Sequence, residues 1–137
     1  MDNELTLIRE FFKGDRFAMA AGAEIISASR RMAECHMTLG DIHLNAANSV
    51  QGGAIFTLAD FTFAVHSNYR KALGEDVGVT VAQSCSISFL KSPKGEKLIA
   101  KSALLSEGRR VSVYRITVED ELGNPIAEMH GNGFRKG

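Results

Sequence analysis

The amino-acid sequence predicts an α+β fold in which a curled antiparallel β-sheet wraps around one long central α-helix. The first indication is a nearly all-apolar segment at about residues 51–71, because a helix that is hydrophobic on all sides must be buried. The second is a series of four strand-like segments between positions 77 and 135, separated by short turns. A sheet of five or six strands can curl around such a helix, and its open edges favour pairing between two copies of the chain.

Length and composition favour one globular domain over residues 1–137, without a nucleic-acid or membrane partner. The 16 Lys and Arg balance 16 Asp and Glu, so no charged surface for such a partner is indicated. Cys35 and Cys85 do not make a disulfide framework and are expected to be reduced, as in the cytoplasm. The N-terminal residues lack the apolar core of a signal peptide, and the apolar run at 54–65 is shorter than the ~20 residues of a membrane span.

The N-terminal half of the chain predicts a short helix and two strands. Residues 3–12 have apolar side chains at helical spacing, and Gly14 ends this short N-terminal helix. Its apolar side is expected to consist of Leu5, Ile8, Phe11 and Phe12. Residues 22–39 contain two strand-like runs, the second with strict alternation of apolar and polar side chains. Residues 40–50 are rich in Gly, Asn, Asp and Ser, which predicts a polar loop.

The C-terminal half predicts four strands. From Val77 to Phe89 the odd positions are apolar apart from Gln83, and the even positions are small or polar. This alternation is typical of a long strand with one apolar face. After a turn at 92–95, three more strands are predicted, at about 97–106, 110–119 and 125–135.

Asp60 is the one Asp, Glu, Lys or Arg between Asp41 and Arg70. A carboxylate in apolar surroundings is costly unless it is paired, protonated or used in chemistry. The residues within about 60° of it on a helical wheel are small or aromatic: Gly53, Phe56, Phe63, Ala64 and Ser67. Burial should raise its pKa, as suits a general base or nucleophile. The alternative is an Asp that binds backbone amides or hydroxyls of a neighbouring strand.

The segment Gln51-Gly52-Gly53 lies where the long helix begins. The first amides of a helix lack internal partners, and glycines leave them open to a ligand atom, so this is a candidate oxyanion hole. The alternative is a Gly-Gly turn needed only for backbone geometry. Gly52 and Asp60 are ~12 Å and ~80° apart on one helix. A shared site therefore requires Gly52 of one chain and Asp60 of another, related by a two-fold axis.

Two more polar residues are candidates for the site. Asn45, in the loop before the helix, can position an attacking water or a carbonyl, or it is only a turn residue. Gln83 is the polar side chain on the apolar face of the long strand. A buried amide there needs hydrogen-bond partners, which are either groups of the substrate or groups of the protein core. His66 is about 120° from Asp60 on the helix and is expected to be packed rather than catalytic. The histidine spacings do not predict a metal site.

Together these residues resemble the signature of the hotdog-fold acyl-CoA thioesterases. The similarity is greatest to the phenylacetic-acid-degradation branch, which carries Asn, six residues, Gly-Gly, and then Leu-Ala-Asp on the central helix. Here the matching segments are Asn45 to Gly53, Leu58 to Asp60, residues 80–90, and residues 108–114, within a resemblance that covers about residues 20–136. The resemblance implies a hotdog fold and a homodimer with two sites, expected to pair further into a dimer of dimers, a homotetramer.

The resemblance also implies hydrolysis of an acyl-CoA or aryl-CoA thioester. Asp60 then matches the general base or nucleophile, the Gly52 amide polarises the thioester carbonyl, and Asn45 assists at the reacting centre. Gln51 stands where relatives usually have His; it can donate a hydrogen bond but cannot carry a proton. Gln83 stands where relatives often have a hydroxyl, and its larger side chain would shrink the pocket.

Coenzyme A would be part of the substrate, and no cofactor is expected. Its phosphates require cations near the pocket, for which the candidates are Arg109 and Arg110 at one turn and Lys91 and Lys94 at another. Gly53, Phe56 and Phe63 are candidate contacts for an acyl or aryl group. Gln51 and Gln83 leave open a non-catalytic protein that binds or senses acyl-CoA. A hotdog dehydratase is disfavoured because the His before Gly52 is missing.

Overall fold

The computed structural model describes residues 3–137 and confirms the predicted architecture. In chain order the elements are α1 (Asn3–Phe12), α2 (Arg16–Ala21), β1 (Ala23–Ala28), β2 (Met32–Thr38), α3 (Gly52–Ala72), β3 (Thr80–Phe89), β4 (Lys97–Glu107), β5 (Val111–Asp120) and β6 (Pro125–Arg135). A 3-10 helix, Asp41–His43, lies in the loop before α3. The strands form one antiparallel sheet in the order β1-β2-β4-β5-β6-β3, which curls around α3.

The long helix α3 is buried along most of its length because its side chains are apolar on nearly every side. Leu58 and Val65 are fully buried, and the Phe63 ring packs against β6. A glycine permits this close approach: a Cβ at Gly133 would lie 3.1 Å from the Phe63 ring and 2.5 Å from the Thr80 methyl group. This packing fixes α3, and with it every side chain that α3 carries, relative to the sheet.

The N-terminal segment differs from the prediction in two respects. In α1, Ile8 and Phe12 are buried, but Phe11 is 46% exposed, so the predicted apolar side was wrong at Phe11. A second helix, α2, was not predicted, because six residues are too few to show a helical period. The Phe12 ring meets the Phe61 ring edge to face at 5.8 Å, so α1 covers part of α3.

The strand β3 also departs from the prediction. It lies at the edge of the described sheet, where it pairs with β6, and begins at Thr80 rather than at position 77. Gln83 is an extra residue in a β-bulge, opposite no residue of β6, and its side chain is exposed. The prediction of an amide on the buried face was therefore wrong. The bulge changes the parity of the strand, since Thr80 is buried before it and Cys85 and Ile87 are partly buried after it.

Asp120, at the end of β5, holds two turns together. Its carboxylate accepts hydrogen bonds from the amides of Lys94 (2.9 Å), Gly95 (3.1 Å), Leu122 (3.1 Å) and Asn124 (2.9 Å). The Asn124 side chain donates another at 3.0 Å. Burial alone would raise the pKa of Asp120, but these hydrogen bonds outweigh it and hold that pKa well below its usual range.

Replacing Asp120 with Asn is expected to lower Tm at pH 7 by at least about 5 °C, because an amide cannot accept all of these hydrogen bonds. The pKa of Asp120 is lower in the folded than in the unfolded chain. Its contribution is therefore complete above the ordinary Asp pKa of about 3.9 and is lost as pH falls through the folded-state pKa. Thermal unfolding between pH 3 and 7 should show a smaller difference between variant and wild type at the acid end. The exposed Asp76→Asn is the matched control.

Candidate active site

Asp60 lies half-buried in the middle of α3, where it lines a cavity of about 320 Å³. The other lining residues are Asp15, Phe17, Ala18, Phe56, Thr57 and Phe61. Among residues 3–137, no hydrogen-bond donor and no cation contacts the Asp60 carboxylate. The alternative of an Asp bound to a neighbouring strand therefore does not hold within the single chain, and both carboxylate oxygens remain free to bind a ligand or water.

Burial raises the pKa of Asp60, as the sequence predicted, and the negative charge of Asp15 raises it further. The same environment includes the Cys85 thiol, whose pKa is raised by burial and by Asp60. A carboxylate with a raised pKa and no partner is typical of a general base.

The start of α3 leaves two backbone amides open. The helix begins at Gly52, within one residue of the predicted start, and the Gln51 side chain makes no capping hydrogen bond. Neither Gly52 nor Gly53 donates its amide hydrogen to any other residue of the described chain. A Cβ on Gly52 would lie 3.3 Å from the Phe89 ring. The open amides at the positive end of the helix dipole are suited to binding a developing negative charge.

Gly52 and Asp60 line different cavities. Gly52 lines one of about 300 Å³ together with Val50, Ile55, Phe89, Leu90, Lys91 and Ser92. Among the described residues, none lines both this cavity and that of Asp60. The Gly52 cavity lies beside the edge strand β3, where Val81 and Phe89 are exposed. Within one chain the two groups therefore do not form one site.

The loop before α3 contains the other predicted site residues. The Asn45 side-chain oxygen accepts hydrogen bonds from the amides of Ala47 (2.9 Å) and Ser49 (3.1 Å), so Asn45 shapes the loop. Its side-chain nitrogen has no partner among residues 3–137. Gln51 and Gly53 line an adjoining cavity of about 460 Å³.

The remaining predicted contacts lie in different places. Phe56 lines the Asp60 cavity, whereas Phe63 is buried in the core with its ring 5.2 Å from that of Tyr114. Arg109 and Arg110 are exposed in the turn between β4 and β5. That turn lies near the last turns of α3, far from Gly52, as shown by a cavity that both Arg70 and Glu107 line. The single chain thus joins Asp60 with Phe56, and Gln51 with Gly53, but brings neither arginine nor Gln83 to them.

Three residues near the site were not selected from the sequence. His43 lines the larger cavity, where its Nδ1 accepts from the Gly40 amide (2.9 Å) and its Nε2 donates to the Ala21 carbonyl (2.6 Å). Asp15 and Phe17 reach the Asp60 cavity from α2. An Asp before a helix is a recognised capping signal, but it does not indicate that the helix packs beside Asp60.

His66 is a packed residue, as expected. Its Nδ1 accepts from the Ser102 hydroxyl and its Nε2 donates to the Arg30 carbonyl, both at 2.8 Å. Burial lowers its pKa. In the described part of the chain, no three His, Cys, Asp or Glu side chains are grouped to hold a metal ion. No helix there is long and apolar enough to cross a bilayer.

An antiparallel sheet curled around a long helix, with an unpaired acid in mid-helix, defines a hotdog-type protein with a candidate hydrolytic site. The sequence model of the thioesterase superfamily matches residues 47–127, and the chain belongs to that family. Within it the chain is a thioester hydrolase of the phenylacetic-acid-degradation (PaaI) type.

Two similar proteins illustrate the relationship, the first of them by both its sequence and its solved structure. The acyl-coenzyme A thioesterase PaaI of Escherichia coli K12 is 31% identical over 127 residues, which cover 92% of this chain and 86% of that protein. The solved structure of the E. coli PaaI protein from the phenylacetic acid degradation operon has a TM-score of 0.86, with 98% of this chain and 94% of that chain covered at 28% identity. The structure of smu.793 from Streptococcus mutans UA159, bound to acetyl CoA, has a TM-score of 0.75 at 25% identity, with 85% of this chain and 90% of that chain covered.

Proposed function

We propose that this protein hydrolyses acyl-CoA or aryl-CoA thioesters to the free acid and coenzyme A. The observation that carries the proposal is the unpaired Asp60 carboxylate, which has a raised pKa and lies in a cavity lined by the rings of Phe17, Phe56 and Phe61. Two of the similar proteins support the choice of substrate, since one is an acyl-coenzyme A thioesterase and the other binds acetyl CoA.

In the proposed reaction Asp60 takes a proton from a water molecule, whose oxygen attacks the thioester carbonyl; direct attack by the carboxylate through an anhydride is the variant mechanism. The Gly52 amide of the partner subunit stabilises the oxyanion. The carbon–sulfur bond then breaks, and the coenzyme A thiolate leaves and takes up the proton. Gln51 and the free side-chain nitrogen of Asn45 can donate hydrogen bonds to the carbonyl or the water.

The proposal requires a homodimer. Gly52 and Asp60 of one chain face different cavities, and an antiparallel arrangement of two α3 helices about a two-fold axis would bring each Gly52 to the other chain's Asp60. The exposed edge of β3, with Val81 and Phe89, is the surface that such a dimer would bury. Recognition of coenzyme A phosphates by Arg109 and Arg110 stays a prediction, because their turn lies far from Gly52 of the same chain. We propose a dimer of dimers as the full assembly.

A coenzyme A thiol-release assay over a panel of acyl-CoA and aryl-CoA thioesters tests this function. We expect release of thiol from at least one class of thioester, at a rate proportional to enzyme concentration. Gln51 and Gln83 leave open a protein that binds acyl-CoA without hydrolysing it. Calorimetric titration with the same compounds therefore measures binding separately from thiol release. Tight binding of a thioester without any release of thiol would instead identify a binding or sensing protein.

A further inference from the structure

The short helix α2 forms one wall of the cleft next to Asp60. Phe17 and Thr57 line both the Asp60 cavity and the larger cavity that contains Gln51 and Gly53, so the two cavities meet at these side chains. The cleft therefore extends from Asp60 along α2 to the start of α3. Phe17 is 74% exposed and contributes little to the core. A large apolar side chain kept open at the mouth of a cleft is suited to contact with a ligand.

The charges in this cleft have one sign. Among the described residues that line it, only Asp15 and Asp60 are charged, and no Lys or Arg faces it. The Asp15 side chain makes no capping hydrogen bond to α2 and no ion pair within residues 3–137. Its carboxylate therefore has no structural role that explains its place beside Asp60.

We propose that α2 selects the acyl group of the substrate, with Phe17 as the apolar wall of the acyl site and Asp15 as the residue that excludes acyl groups bearing a carboxylate. This inference rests on the proposed thioester hydrolysis and names its substrate class: uncharged acyl or aryl thioesters rather than thioesters of dicarboxylic acids. A carboxylate that enters the cleft would add a third negative charge to a largely apolar space with no cation to pair with it. Exclusion by an unpaired like charge is a common source of specificity.

Asp15 also affects the protonation of Asp60. The titratable groups that face Asp60 are Asp15, immediately before α2, and the Cys85 thiol from β3, and neither supplies a positive charge. Removal of the Asp15 charge should therefore lower the pKa of Asp60. The acid limb of the pH profile of kcat/KM should then move to lower pH in Asp15→Asn, an effect that a residue with only a packing role would not produce.

The test compares two ligands of equal shape and different charge. Glutaryl and 5-methylhexanoyl groups have the same branching and length, but only glutaryl ends in a carboxylate. We would use non-hydrolysable coenzyme A analogues in which a CH2 group separates the carbonyl carbon from sulfur, and measure Kd by calorimetry. Wild type should bind the 5-methylhexanoyl analogue at least ~10-fold more tightly than the glutaryl analogue.

Asp15→Asn should reduce this preference at least ~5-fold, by tighter binding of the glutaryl analogue, with the uncharged analogue affected less than about twofold. Phe17→Ala should weaken the binding of both analogues to a similar degree. The control Asp76→Asn removes an equal charge from an exposed loop and should leave the preference unchanged.

An unchanged preference in Asp15→Asn, or a wild type that binds neither analogue, would overturn the inference. Because the analogues are not hydrolysed, the two proposals fail separately. Absence of thiol release from hydrolysable thioesters would contradict the hydrolase proposal. Normal thiol release, with no preference for the uncharged analogue over the glutaryl analogue, would contradict only the proposed role of α2.

Discussion

Replacing Asp60 with Asn is expected to lower kcat by at least ~100-fold, with the fold and the assembly retained. The amide has nearly the shape of the carboxylate but cannot accept a proton from water or attack a carbonyl carbon. Asp60→Ala should give a loss at least as large. Because no residue among 3–137 forms a hydrogen bond or an ion pair with the Asp60 carboxylate, neither change removes a structural hydrogen bond within the chain. Steady-state thiol release, with circular dichroism and sedimentation to verify folding and assembly, measures the effect.

The pH dependence provides a second measure of the same residue. The base must be ionised to act, so kcat/KM should fall as pH falls through the pKa of Asp60. Burial and the Asp15 charge raise that pKa, so the acid limb should lie above the ordinary Asp value of about 3.9. Near-normal turnover by purified Asp60→Ala would remove this mechanism, whereas Asp76→Asn should behave as wild type.

The second large effect is the rescue of two inactive variants by each other. Asp60→Ala lacks the base, and Gly52→Val places a branched side chain over the open amides and against the Phe89 ring, 3.3 Å from the new Cβ. Each homodimer should be inactive or nearly so. In a mixed dimer one site combines the intact Gly52 of one chain with the intact Asp60 of the other. Mixed dimers obtained by co-expression should therefore recover up to about half of wild-type activity, because one of their two sites is intact.

This experiment decides where the site lies. If Gly52 and Asp60 act within one chain, no mixed dimer contains an intact site and activity stays absent. The matched control co-expresses Asp60→Ala with the double variant Asp60→Ala/Gly52→Val, which has no intact site in any combination. Purification through two different tags ensures that only mixed assemblies are assayed.

The pattern of apolar and polar residues in neighbouring positions was sufficient to predict the helices and strands in which that pattern continues along the whole element. The apolar run and the two glycines predicted α3 and its start at Gly52, because helix burial and helix initiation depend on neighbouring residues. Strict alternation predicted β2, and the turn residues between strands predicted the three C-terminal strands to within a residue or two. The raised pKa of Asp60 followed from its uncharged surroundings in the sequence.

Other features depended on contacts between distant segments. The bulge at Gln83 inverts the faces of β3, and alternation of residue types does not mark where an extra residue is inserted. The six residues of α2 are too few to show a period, so the place of Asp15 and Phe17 beside Asp60 was not foreseen. Phe63 shares a helical face with Asp60 but packs into the core, because α3 turns that part of its surface toward β6.

The sequence by itself determined the class of fold and the family of this protein, because both depend on the order and spacing of residue types along the chain. It also singled out Asp60 and Gly52 and predicts that a site shared by the two requires two chains, since the rise of a helix sets their separation. Only the tertiary structure decided which side chains surround Asp60. Packing brings α2 against α3, and residues far apart in sequence then share one electrostatic environment.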